Sequence, residues 1–368
     1  MLKKLKVSNY KSLRDVEIEF GKFNVLIGKN GSGKSNILNC LEFLSKIAES
    51  GIGNTTKMED YVYKRIVFGG IEEQDIKISL EFDNGYYLIL FDEKVEKLSE
   101  KLSINGKNLI DREYKDDKWL QDIYIDVKGV AQRYTAPEFC LFSLYNNLFR
   151  SGKDFADYVK SWRVYRFITQ EIRAMLPVER AIRLEDNGKN LAQVLHSLLT
   201  ERPRAFKRIE ETLKLLIPEI EELLTPLGTC TIKNESRTCT YTAVREKGFD
   251  VSFDYRQISD GSLKLLAFIT AVNLGSELIC IEEPENFVHP YLLSSIVEIL
   301  KKSDKQVIVS THSPYLLDKV DLEDLIVVEK EEGATRTRKI KEEKEKERIK
   351  ALLNDGIPLG EAYVSGAI

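Results

Sequence analysis

Gly28-Lys29-Asn30-Gly31-Ser32-Gly33-Lys34-Ser35 decides how this chain is to be read. The eight residues satisfy the pattern G-x-x-x-x-G-K-[ST] in full, with an apolar run, Val25 to Ile27, before them and an amphipathic helical stretch after them. Glycines let such a loop wrap with its backbone N–H groups turned inward toward phosphate oxygens, and the following helix directs the positive end of its dipole to the same place. The spacing therefore assigns Gly28, Lys29, Asn30, Gly31, Ser32, Gly33, Lys34, Ser35 and Asn36 to a cradle for the phosphates of ATP. Lys34 is expected on the β- and γ-phosphates, as a catalytic cation as well as a ligand, and Ser35 on Mg²⁺. Ile37, Leu41, Leu44 and Ala48 recur at helical spacing up to a stop near Gly51, so the predicted helix packs along one face while its first turn binds.

A second apolar run, Leu278 to Ile281, ends in Glu282 and Glu283. Beside a phosphate loop, two carboxylates at a strand end supply what the loop lacks: Glu282 to orient Mg²⁺ and Glu283 to position, or take a proton from, the water that attacks the γ-phosphate. A third apolar run, Val307 to Val309, leads into Ser310-Thr311-His312, which puts one of only three histidines where open α/β sheets bind ligands. His312 is thus a candidate sensor of the γ-phosphate and a third catalytic candidate. His289 belongs to a turn before a helix, and His196 sits in a helical stretch. Ser259-Asp260-Gly261-Ser262 stands before the apolar stretch Leu263 to Leu274, a further helix N-terminus whose free N–H groups suit an anion.

Composition sets bounds on the rest. A chain of 368 residues with 43% hydrophobic content can bury a large core, as one large domain with an insertion or as two domains. No apolar run approaches the roughly 20 residues that span a bilayer, and Met1 to Lys6 has no signal-peptide apolar region behind its lysines, so a cytoplasmic protein without membrane contact is expected. The formal charge of −4 argues against a surface that tracks nucleic acid throughout. Contact with DNA would need a local patch, for which Arg202 to Arg208 and Lys160 to Arg166 are the basic stretches present. Five cysteines, Cys40, Cys140, Cys230, Cys239 and Cys280, lack metal-ligand spacing and read as small buried hydrophobes. Cys230 and Cys239 would lie opposite each other in a hairpin over Thr229 to Thr240 turning at Asn234-Glu235, but a reducing cytosol argues against a disulfide there.

Both ends of the chain alternate short apolar strands with helical stretches, whereas the middle is more helical and more charged; this is the pattern of an interrupted domain. Strands are predicted at Leu5 to Ser8, Val16 to Phe20 and Phe23 to Ile27, and again at Leu278 to Ile281, Gln306 to Ser310 and Leu325 to Val328. The last three, apolar on both faces, suit a buried parallel sheet. Ile76 to Phe82 and Tyr86 to Phe91, split by Asp83-Asn84-Gly85, predict an antiparallel hairpin and hence a β-layer beside the main sheet. From about Phe139 to Leu224 the pattern is helical, with Leu191, Val194, Leu195, Leu198 and Leu199 on one face after a turn at Asp186 to Asn190. The expected division is 1–135 for the first part of an ATPase head, 136–228 for a helical insertion, 229–335 for the second part and 336–368 for a charged tail. Within that tail, Lys339 to Lys350 reads as a solvated helix. No segment sustains the heptads of a long coiled-coil arm.

The order of these motifs resembles the ABC-type ATPases of the SMC/RecF/OLD group. Ser259 to Ser262 looks like their signature motif; Glu282-Glu283-Pro284-Glu285-Asn286 with His289-Pro290 looks like the "EEPE" acidic strand end and D-loop of the OLD-like branch. Ser310 to Pro314 looks like that branch's switch histidine, and Asn9-Tyr10-Lys11-Ser12-Leu13 like its N-terminal strand end, which places Lys11 near the nucleotide. The resemblance implies an α/β P-loop head with an antiparallel β-layer and an inserted helical lobe. It also implies a homodimer in which ATP is sandwiched between the P-loop of one protomer and Ser259 and Gly261 of the other. Such a head works as a switch or clamp, in DNA repair or in defence against foreign DNA, or as a regulatory module for a separate effector protein such as a nuclease. Glu282 stands where ordinary ABC proteins carry Asp, in keeping with the OLD-like branch. The glutamine that in such heads links nucleotide state to the lobe is not identifiable here: Gln74 and Gln132 are the candidates, and neither stands in a recognisable motif. A monomeric GTPase is disfavoured, since no N-K-x-D motif occurs.

Overall fold

The computed structural model describes residues 1–93, 98–115, 118–119, 150–286 and 288–368. Gln132, Cys140 and the expected boundary between 135 and 136 lie outside these residues.

Along the chain come β1 (Leu2–Tyr10), β2 (Leu13–Glu19), β3 (Phe23–Ile27), α1 (Lys34–Ser50), α2 (Ile52–Thr55), α3 (Tyr63–Ile66), β4 (Ile76–Phe82), β5 (Gly85–Phe91), β6 (Leu98–Ile104), β7 (Lys107–Lys115) and β8 (Lys118–Trp119). There follow α4 (Arg150–Lys160), β9 (Arg163–Tyr165), α5 (Thr169–Ile172), β10 (Leu176–Pro177), α6 (Leu191–Glu201), α7 (Pro203–Leu216), β11 (Ile220–Leu224), β12 (Leu227–Ile232), β13 (Glu235–Thr240), β14 (Ala243–Glu246) and β15 (Ser252–Asp254). The chain then forms α8 (Asp260–Asn273), β16 (Leu278–Glu282), α9 (Leu293–Lys302), β17 (Gln306–Thr311), α10 (Pro314–Leu317), β18 (Leu325–Glu331), β19 (Ala334–Lys339), α11 (Glu343–Asn354) and α12 (Leu359–Val364).

Two large sheets enclose α1. The core sheet has the order β19-β18-β3-β17-β16-β9 and is parallel except for β19; the second sheet, β2-β1-β4-β5-β6-β7-β8, is antiparallel. All five residues of β3 are buried, as a strand covered on both faces requires. Period-two alternation then sorts the core: Leu26, Cys280, Ile308 and Ile326 face α1 and the antiparallel layer, while Val25, Ile27, Ile279, Ile281, Val307 and Val309 face the helices α6 to α9. Each fully buried aliphatic side chain contributes about 1.5–3 kcal/mol, so this alternation fixes the register of the strands that carry the motifs. On α1, Ile37, Leu41, Leu44 and Ala48 are buried as their spacing predicts.

Several details depart from the sequence expectations. The middle segment is not purely helical: β9 belongs to the core sheet, parallel to β16, and β10 and β11 pair with strands of the following segment in two small three-stranded sheets. In α6, Leu191, Val194, Leu195 and Leu198 are buried, but Leu199 is 41% exposed and falls outside the packed stripe. The hairpin β12–β13 turns at Lys233-Asn234, both with positive φ, because Ile232 pairs with Glu235; Cys230 and Cys239 are nevertheless joined by a disulfide, contrary to expectation. Cys40 and Cys280 are buried thiols. β19 runs across the expected start of the charged tail and completes the core sheet, and the solvated helix expected over Lys339 to Lys350 is α11, Glu343–Asn354, with only Ile349 buried. α12 packs on α10: a Cβ on Gly360 would lie 2.3 Å from the Pro314 carbonyl oxygen, which is why a glycine stands there. No helix among the described residues is long and apolar enough to cross a membrane.

Candidate nucleotide-binding site

The loop between β3 and α1 is shaped by contacts that exclude side chains. A Cβ on Gly28 would lie 2.1 Å from the Val328 carbonyl oxygen, and one on Gly33, whose φ is 111°, would lie 1.9 Å from Thr335 Oγ1. Thr335, reached through β19, donates to the Ser32 carbonyl (3.0 Å) and lies 2.6 Å from Ser12 Oγ, which in turn accepts from Asn36 Nδ2 (2.7 Å). The loop is thus clamped from its outer side, and the Asn36 amide is engaged by Ser12. On the inner side, the N–H groups of Asn30, Gly31, Gly33, Lys34 and Ser35 have no acceptor among the described residues. Ser32 Oγ is buried without a partner. Lys34 is almost fully buried, and its ammonium donates to the Gly28 (2.7 Å) and Lys29 (3.1 Å) carbonyls. Burial lowers its pKa below the usual lysine range, against the pull of Glu283, Glu282 and Glu285. Free inward donors, glycines where Cβ atoms would clash and an unpaired hydroxyl together fit a polyphosphate.

Opposite the loop, Glu282 ends β16 in register with Ser310 of β17. Its Oε1 accepts from the Ser35 hydroxyl and its Oε2 from Arg166 Nε (2.6 Å). A serine hydroxyl against a carboxylate is a donor set that fits Mg²⁺, which binds through one or two carboxylates together with substrate phosphates. Among the described residues no cluster of three or more His, Cys, Asp or Glu side chains could hold a metal by itself.

Glu283 adopts a φ of 49°, a left-handed conformation uncommon outside glycine and found disproportionately at functional sites. Its N–H donates to the Ser310 carbonyl (2.8 Å), which ties the turn to the neighbouring strand. Its carboxylate is held at both ends: Asn286 Nδ2 donates to Oε2 (2.6 Å), and His312 Nδ1 lies 2.8 Å from Oε1. Glu285, beneath this pair, takes the Thr311 hydroxyl and the His312 N–H (3.3 Å) on Oε1, while Oε2 is buried without a partner. Burial raises the Glu285 pKa above the usual carboxylate range, although Thr311 opposes the shift.

The structure brings Lys34, Ser35, Glu282, Glu283 and His312 to one end of the core sheet. Lys11 makes no described contact with these five; it is half-buried with a φ of 49°, its N–H on the Ile66 carbonyl (2.6 Å), and burial, then the nearby Arg166, lower its pKa. Ser259 is the N-cap of α8, its Oγ accepting from the Ser262 N–H (3.1 Å), and none of its described hydrogen bonds reaches the loop. Gly261 lies in the first turn of that helix. Gln74 lies in a turn before β4, where its carbonyl accepts from the Tyr63 hydroxyl.

The stretch Lys160 to Arg166, read as a basic patch, is largely internal: Arg163 pairs with Glu49, and Arg166 with Glu42 and Glu282. Arg166 and Thr335 are the parts of the site that lie outside the motifs; Glu285 and Ser12 stand inside them, but the sequence assigns no role to either. The register of β9 is the signal for Arg166, since Tyr165 pairs with Ile281 and so sets the next residue level with Glu282.

Residues 23–318 match the family described as "AAA domain, putative AbiEii toxin, Type IV TA system". The chain is 22% identical to the OLD nuclease of Thermus scotoductus over 360 residues, which cover 90% of this chain and 62% of that protein. It thus spans less than two thirds of that relative's length. It is 21% identical to the ATP/GTP phosphatase of Helicobacter pylori over 352 residues, covering 87% of this chain and 88% of that one. Among solved structures, an SMC head bound to the C-terminal winged-helix domain of ScpA superposes with a TM-score of 0.56 at 15% identity, over 94% of this chain and 99% of that one. The chain belongs to that AAA-domain family, its fold is that of an ABC-type head, and it is similar to proteins of the SMC/RecF/OLD group.

Proposed function

We propose, on the premise that this chain belongs to the AAA-domain family just matched, that it binds Mg-ATP at the β3–α1 loop, hydrolyses it, and acts as an ATP-gated switch or clamp in DNA repair or in defence against foreign DNA. The observation that carries the reading is the meeting of Lys34, Ser35, Glu282, Glu283 and His312 at one end of the core sheet, opposite a loop whose inward N–H groups have no acceptor among the described residues.

Gly28 to Asn36 cradle the phosphates, and Lys34 leaves the Gly28 and Lys29 carbonyls to neutralise the β- and γ-phosphates. Ser35 and Glu282 hold Mg²⁺, which when bound screens the phosphate charge. Glu283 orients the attacking water and accepts its proton, and His312, held on Glu283, reports the γ-phosphate to the strand end that carries it. Lys11 adds positive charge beside the loop. Ser259 and Gly261 serve the site of a second copy, in a two-fold dimer closed around ATP. Hydrolysis removes the shared phosphate and lets the pair open.

The test is the solution mass of Glu283→Gln with and without Mg-ATP. Retained nucleotide with blocked hydrolysis should move the protein from monomer to dimer, since ATP then stabilises the closed pair by mass action. A mass that stays monomeric over a wide range of protein and nucleotide concentrations would remove the sandwich.

A further inference from the structure

Three polar side chains lie two helical turns apart along one stripe of α1: Ser35, which donates, and Glu42 and Glu49, which accept. Each meets a partner from outside the helix. Ser35 bonds Glu282; Glu42 pairs with Arg166 Nη1 (2.9 Å); Glu49 takes Arg163 (3.5 Å) and Arg183 (2.9 Å). Arg166 is the hinge of this seam, because its fork spans two carboxylates, Nε on Glu282 Oε2 (2.6 Å) and Nη1 on Glu42. Its backbone N–H donates to the Asp186 carbonyl (2.8 Å), and Ile168 N–H to the Asn187 carbonyl (3.0 Å), so the strand end carrying Arg166 is laced to the turn that starts α6.

We propose that Arg166 is a positioning residue for Glu282 and that it links the nucleotide site to the Asp186–Asn190 turn of the helical segment. The inference rests on the Mg-ATP reading above. With Ser35 on one oxygen and Arg166 on the other, the Glu282 carboxylate has one orientation, the one that faces Ser35. The guanidinium lies between the two carboxylates, Glu42 and Glu282, which its fixed fork can hold in two directions at once. A lysine carries a single ammonium without the fork and cannot hold both carboxylates in these directions.

The experiment titrates Mg²⁺ against the affinity for a fluorescent, non-hydrolysable ATP analogue, in wild type, Arg166→Lys and Glu42→Gln. Arg166→Lys should need about tenfold more Mg²⁺ to reach half of its affinity gain, the scale on which outer-shell partners tune metal sites, with its affinity in EDTA unchanged. Glu42→Gln disturbs the same charge cluster but leaves Nε on Glu282, so it should stay within about threefold of wild type. Arg166→Lys with a wild-type Mg²⁺ dependence would overturn the proposal, and so would Glu42→Gln shifting as far as Arg166→Lys, since the effect would then come from loosening the cluster. Wild type whose affinity ignores Mg²⁺ would instead remove the underlying metal reading, an outcome separate from either. Should Arg166→Lys not fold, Arg166→Met, which keeps an unbranched stem and removes every donor to Glu282, takes its place with the same expected shift.

Discussion

His312 Nδ1 and Glu283 Oε1 stand 2.8 Å apart, and Glu283 reaches that position only through a left-handed backbone with φ of 49°. The contact joins two strand ends, β16 and β17, that are already paired in parallel. Glu285 holds the histidine's backbone from below, so ring and carboxylate are fixed by separate residues.

Glu283→Gln should keep nucleotide affinity and lose turnover by roughly 10² or more, the scale of a lost general base. His312→Ala should lose less, because Asn286 still holds Glu283 Oε2 at 2.6 Å. Steady-state phosphate release beside equilibrium nucleotide binding separates these effects. Normal hydrolysis by Glu283→Gln would move the catalytic carboxylate elsewhere.

Lys34→Ala should abolish nearly all ATPase activity and most nucleotide affinity, since no other ammonium reaches the loop carbonyls of Gly28 and Lys29 among the described contacts. Nucleotide binding measured at equilibrium is the check. Wild-type turnover in this variant would exclude the loop as the phosphate site.

Ser259 should act on a partner's nucleotide. Lys34→Ala and Ser259→Arg, each inactive alone, should recover activity on mixing, up to about a quarter of wild type if pairing is random and each site fires alone. Recovery fails if the serine serves its own loop, because every site then carries a lesion. Trapped nucleotide in the mixed dimer distinguishes that case from coupling between intact sites.

Asp186→Asn should stabilise the fold at neutral pH. Burial, then Glu42, push the Asp186 pKa up to about 6, above its unfolded value near 4. The folded state therefore binds the proton more tightly, and the native carboxylate destabilises the protein fully above about pH 6 and not below about pH 4. The gain from Asn, on the order of 2 kcal/mol, should appear at pH 7.5 and fade between those limits. Thermal melts at pH 4, 5.5 and 7.5 test this, and an equal shift at all three would assign the effect to something other than ionisation.

Much of this was legible because the informative strands are short, apolar and followed at once by their polar residues. The run from Val25 into Gly28, and that from Leu278 into Glu282, leave few ways to fold. The antiparallel layer was visible at Asp83-Asn84-Gly85, where turn chemistry is local. What stayed hidden depends on pairing between distant residues. β9 is three residues long, too short for a period, and its place at the sheet edge comes from its partner Ile281. Arg166 accordingly looked like one more basic residue on a polar surface. The Thr335 clamp escaped for the same reason, since only the return of β19 brings it to Ser32.

The order of strands in the core sheet bears on how the chain can be made. β3, the strand that carries the phosphate loop, lies between β17 and β18, and both of its neighbours begin after residue 305. During synthesis the most apolar strand of the N-terminal segment therefore emerges long before anything can pair with it. α1 and the antiparallel layer can cover one of its faces, but its two edges wait for almost the whole chain. Closure over such sequence distances is slow. A truncated product would present a bare, five-residue apolar edge open to aggregation.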